Sequence, residues 1–168
     1  MIATTLNDLF LSELKVLYDA EMQLTKELPR YISFATCHNL PSMLEEHNSV
    51  TTQHVARLLE VFKLAKLPVD TRKCETMTAI LKETQSAFDI IGDDVRDVLL
   101  ISSNQKIEHY EISSYATVCI WARELKLPAA GKLLVQSLCE EKLFEETLNS
   151  LADTRNLPAE LRDRLVGT

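Results

Sequence analysis

Apolar residues recur every three to four positions through most of the chain, and no stretch alternates as a strand would. That period predicts long helices at about 5–36, 41–66, 93–126 and 129–153. A shorter helix is expected at about 72–88, where Cys74, Met77, Leu81 and Phe88 keep helical spacing. Pro41, Pro68 and Pro128 stand where a helix starts or has just ended. Pro29 falls inside the first segment and should kink it or mark an irregularity. The tail from Pro158 to Val166 reads as a short C-terminal helix. The expected fold is all-α and a single domain over 1–168: an antiparallel four-helix bundle with a long second connection.

At about 100° per residue each long segment carries an apolar stripe, and titratable groups break every stripe near its middle. The first stripe is Phe10, Leu14, Leu17, Glu21, Leu24 and Leu28; the second is Met43, His47, Val50, His54, Leu58 and Val61. The third is Ile101, Gln105, Glu108, Ile112, Tyr115 and Cys119, with Glu111 on its flank. The fourth is Leu134, Leu138, Glu141, Glu145, Leu148 and Ala152.

An isolated carboxylate in an apolar interior is costly, so glutamates converging at one level must share protons or bind cations. Five of them (Glu21, Glu108, Glu111, Glu141 and Glu145) carry five negative charges, and two divalent ions would cancel four. Carboxylates with imidazole suit iron, manganese or zinc. Ligands projecting inward from a bundle with a long crossover make a ferritin-like arrangement. Here the match is partial, because the second stripe has no glutamate and Glu141 and Glu145 are four apart. The plain alternative is a bundle whose glutamates sit at stripe edges, tied to lysines or to water.

His47 and His54 are two turns apart, about 10 Å along the axis, so they should not share one ion. His54 is read as a ligand and His47 as a supporting or capping group. Tyr115 is placed to hydrogen-bond a ligand carboxylate. Glu140 faces away from its stripe and reads as solvated, while His109 and Tyr110 point toward another helix or a dimer partner.

Composition narrows the function. The net charge is −7 with no basic cluster, which argues against nucleic acid. Three glycines leave no phosphate-cradling loop. Four cysteines without a C-x-x-C pair read as reduced thiols of a cytoplasmic protein. No apolar run reaches membrane-spanning length, and the start MIATTLNDLFLSELK has no signal-peptide pattern. No nucleophile–base pair supports hydrolase or transferase chemistry.

The blocks LNDLFLSELKVLYDAEMQL, HNSVTTQHVARL, NQKIEHYEISSY and LCEEKLFEETL resemble the YciF/YciE family of ferritin-like stress proteins, from about Leu6 to Ala152. The resemblance implies a rubrerythrin-like bundle, usually a homodimer, with a candidate centre for two metals, iron or manganese. It assigns Glu21, Glu108, Glu111 and Glu141 to the family's ligand positions. Val50 stands where the family has a glutamate and His54 where it commonly has a glutamine. Three expectations follow: a metalloprotein handling oxygen or peroxide, a metal-free structural or partner-binding dimer, and, more remotely, an iron-storing shell.

Overall fold

The computed structural model describes residues 4–36 and 39–155; the expected C-terminal helix lies outside them. Among the described residues there are five helices and no strand: α1 (Leu6–Phe34), α2 (Leu40–Leu64), α3 (Glu75–Phe88), α4 (Asp93–Glu124) and α5 (Pro128–Arg155). Among the described residues no helix is long and apolar enough to cross a membrane.

The first three helices start where a local cause can be named. Thr5 caps α1 by accepting the Asp8 N–H, and Asp8 Oδ2 accepts the Thr5 N–H in return, a reciprocal capping box. Pro41 lies in the first turn of α2, where a missing N–H loses nothing. Cys74 Sγ accepts the Met77 N–H, which sets the start of α3 at Glu75 rather than near residue 72. α1 continues through Pro29, although that ring removes the bond to the Thr25 carbonyl. Leu28 and Tyr31, buried on either side of it, hold the turn in place by packing.

α1 packs on α2 and α4, and α5 packs on α4 and α2, giving a four-cornered bundle. The site contacts fix the directions. His47 meets Glu108 and His54 meets Tyr115, so α2 and α4 run the same way. His47 meets Phe144 while His54 meets Glu140, so α5 runs against α2. The chain must therefore return along the bundle between α2 and α4, and α3 lies on that return, against α4 and α1. The outer face of α1 pins it. Lys15 pairs with Asp70 at 2.7 Å, Asp19 accepts the Cys74 N–H at 2.8 Å, and Gln23 donates to the Cys74 carbonyl at 3.2 Å.

The core is in two parts. One contains Leu24, Leu28, Tyr31, Leu44, Met77 and Leu100; the other contains Phe10, Leu14, Leu58, Phe62, Tyr115 and Leu134. Between them lie the buried polar residues Glu21, His47, Thr51, His54, Glu108, Glu111 and Glu141. On α4 the buried face is centred differently from the expected stripe. Asn104, Glu108, Glu111, Ser114, Tyr115 and Val118 face inward, whereas Gln105, Ile112 and Cys119 are only half-buried. Glu111, expected on the flank, is fully buried, because α4 packs against α1, α5 and α3 together and so hides a wider arc.

α2 and α4 end alike, in Lys-Leu-Pro at 66–68 and 126–128. Lys66 and Lys126 take left-handed φ values of 56° and 58°, and Leu67 and Leu127 donate back to Phe62 and Ala122 at 2.9 Å. Glycine usually fills this position, because a Cβ is strained there. Lys66→Gly should therefore stabilise the fold by about 0.5–1 kcal/mol. The check is a raised urea midpoint with an unchanged slope; a lowered midpoint would show that the lysine stem contributes packing that outweighs its strain.

Candidate metal centre

Four glutamates and two histidines meet in the polar layer. α1 brings Glu21, α2 brings His47 and His54, α4 brings Glu108 and Glu111, and α5 brings Glu141, each at most 1% exposed. Two triads have one donor atom from each residue within 4.8 Å of the others: Glu21, His54 and Glu141, and His47, Glu108 and Glu141. Glu141 belongs to both. Two turns separate the imidazoles along α2, and each falls to a different triad.

The first triad is braced from outside. His54 Nε2 lies 2.8 Å from Glu140 Oε2, and Arg57 bonds the same carboxylate at 2.8 Å and Ser137 Oγ at 2.7 Å. Burial would raise the Glu140 pKa, but bonds from Arg57, Gln136 and His54 bring it down to about 2. An ionised Glu140 can only accept, so Nε2 must carry a proton and Nδ1 faces inward. Nδ1 lies 2.8 Å from Glu141 Oε1 and 3.3 Å from Glu21 Oε1 without hydrogen-bond alignment. Tyr115 donates to Glu21 Oε1 at 2.5 Å, and its ring meets that of His54 edge-on at 5.7 Å.

The second triad has less support. His47 Nε2 is 3.3 Å from Glu108 Oε1, again without alignment, and its ring stacks on Phe144 at 3.9 Å. Neither nitrogen of His47 has a hydrogen-bond partner, nor has any carboxylate oxygen of Glu108, Glu111 or Glu141. Such groups are almost always paired when buried. Here their lone pairs face one another, an arrangement that protons or cations can satisfy. The oxygen-and-imidazole donor set fits iron, manganese or zinc, and two divalent ions would balance four carboxylates with neutral imidazoles. The fit is good.

Burial pushes the Glu108 pKa well above the carboxylate range, helped by Glu141. It does the same for Glu111, reinforced by the charges of Glu21 and Glu141. Burial also raises Glu141, against the pull of His54. Burial alone would lower His54, but Glu141 and Glu21 outweigh it and carry the imidazole to about 10. His47, desolvated and near His54, falls to about 3.

The expected residues fall out as follows. Glu21, His54, Glu108 and Glu141 come together in the triads, and Glu111 lies buried beside them. His47, expected outside the ligand set, stands among the donors. Glu145 is outside both triads, turned to the exposed His109 at 2.8 Å. Tyr115 bonds a site carboxylate as expected. Glu140, read as solvated, is instead tied to His54 and Arg57, because the helix twist swings it toward α2. Its only sequence signal was weak: His54 and Arg57 three apart on one helix, Ser137 and Glu140 three apart on another. Tyr110 meets another helix as expected, sharing a 3.0 Å bond with the Cys74 thiol.

Comparison with known proteins agrees in extent. The family model described as domain of unknown function DUF892 matches residues 5–160. Protein YciF of Escherichia coli (strain K12) is 33% identical over 150 residues, covering 88% of this chain and 90% of its own. The crystal structure of the E. coli stress protein YciF superposes with a TM-score of 0.85 at 32% identity, covering 89% of this chain and 96% of that one. YcfI of Rhodopseudomonas palustris, described as a candidate structural protein, superposes with a TM-score of 0.83 at 35% identity, covering 87% and 94%.

These shifts set a pH dependence for the metal-free protein. Between the unfolded carboxyl value of about 4.3 and the raised folded values, the folded chain holds more protons, so stability falls as pH rises. His54 acts in the same direction: its contribution is full below about 6.5 and is lost as pH climbs through about 10. His47 opposes them only below about 6.5, where the unfolded imidazole takes a proton that the folded one refuses. From pH 7 to 9 the chelated protein should lose stability, at up to about 1.4 kcal/mol per pH unit for each extra proton held. Added manganese should flatten the curve, since it replaces those protons and binds only the folded state. Denaturation midpoints across that range, with and without manganese, are the measurement; two curves of one shape rule out a metal-coupled cluster.

Proposed function

Because the chain belongs to the DUF892 family, we propose that it is a stress-associated ferritin-like protein whose buried layer is a binuclear metal centre handling oxygen or peroxide. One observation carries the reading: buried carboxylate and imidazole lone pairs face one another without hydrogen-bond partners. Iron or manganese bound there would supply redox chemistry toward a small oxidant. Glu21, His54 and Glu141 would hold one position, and His47, Glu108 and Glu141 the other, with Glu111 at hand. Glu140 and Arg57 orient the His54 ring so that Nδ1 faces the site. Tyr115 donates to Glu21 Oε1, the oxygen that also lies near His54 Nδ1, and so holds that carboxylate in place while Oε2 stays unpartnered. The apolar clusters on both sides keep bulk water away from the layer. The association with stress rests on the description of YciF. A cytoplasmic homodimer is part of the same proposal.

A second reading has its own support. Val50 puts an alkyl group beside His47, and YcfI is described as a candidate structural protein. On that reading the bundle is a metal-free dimer that binds a partner under stress.

Metal analysis of protein purified without chelator separates the two. Iron or manganese should be present, and Glu141→Gln should weaken both positions by at least about 10-fold. Glu145→Gln should change neither, because Glu145 is turned outward to His109. Val50→Glu should raise the metal content per chain. Wild-type protein that stays metal-free after incubation with anaerobic ferrous iron or manganese sinks the binuclear reading and leaves the structural one.

A further inference from the structure

The two triads differ in what surrounds them. The His54 ring is enclosed: Glu140 holds Nε2, and Tyr115 lies against the ring. The His47 ring instead forms part of the wall of a cavity of about 150 Å³ between α2 and α5. Val50, Met43, Leu143 and Phe144 give that cavity apolar walls, and Glu46, Glu140 and Thr147 add polar groups. Leu143 is 66% exposed, so the cavity reaches the surface. His47 is 1% exposed and has no hydrogen-bond partner on either nitrogen, so an unsatisfied, metal-competent group stands at the inner end.

We propose that this cavity admits a small uncharged molecule to a metal ion held by His47, Glu108 and Glu141. The inference rests on the metal-binding reading above and adds which position reacts and what it takes. Size sets one limit, since about 150 Å³ holds a few water-sized molecules and drug-sized ligands need roughly 300 Å³ or more. Charge sets the other. Glu46 stands at the wall of a chain with net charge −7, which disfavours anions, and the alkyl and aromatic walls favour species that shed water readily. Val50 matters because its methyl groups have no lone pair. They wall the approach to His47 without occupying the coordination side that an incoming molecule needs.

Nitric oxide is a suitable probe: uncharged, diatomic and a ligand of ferrous iron with its own absorbance. The experiment loads the protein anaerobically with ferrous iron, measures iron content, and follows nitric oxide association by stopped flow. Val50→Phe should slow association at least about tenfold at unchanged iron content, and Val50→Ala should speed it. Leu143→Trp, which alters an exposed side chain at the mouth, should slow it too, and serves if Val50→Phe does not fold. Val135→Phe, in the separate groove lined by Cys119, Ile120 and Gly131, is the control and should change nothing. Iron-loaded variants that all bind nitric oxide at the wild-type rate overturn the entry route and leave the metal reading standing. A chain that takes up no iron overturns both.

Discussion

Burying four carboxylates and two imidazoles in one layer is the constraint on which this bundle depends. Most of the other buried side chains are apolar and are satisfied by packing; these carry lone pairs and charges that packing cannot satisfy. The leucines and aromatics are divided by the layer into two clusters, and hydrophobic burial there, roughly 1.5–3 kcal/mol for each large side chain, is what holds the charges together. The polar layer itself is poor evidence of stability, since desolvating paired charges can outweigh their attraction. The cost of that layer fits the proposed function, in which it would hold protons in one state and cations in another.

Within the layer the two halves are built unequally. Glu141 is common to both. His54 is locked by a chain of bonds through Glu140 to Arg57 and Ser137, which fixes both the ring and the inward-facing nitrogen. His47 has only a stacked phenyl ring and a carboxylate at ion-pair distance. On the proposed metal-binding reading, the braced position suits a firmly held ion and the less restrained one an ion that exchanges ligands.

The helices were legible because their cause is local. A 3.6-residue period, Thr5 and Asp8 at one end and Lys-Leu-Pro at two others are written in consecutive residues, and α1 contains all six residues of its expected stripe in the core. Glu21, Glu108 and Glu141 were legible for a related reason: each interrupts an apolar stripe on its own helix, whatever that helix packs against.

Glu111, His47 and Glu140 needed the tertiary structure. Whether Glu111 is flank or core depends on how many neighbours α4 has, and the return of the chain through α3 supplies one more. Whether His47 joins a carboxylate depends on the relative height of α2 and α4, and the contact of Glu140 with His54 on that of α2 and α5. The sequence by itself therefore determined the helices, the long crossover and the presence of charges in the core. Tertiary structure alone decided which charges share a site and how each is oriented, because a helix period records one face of one helix and is blind to the register between two.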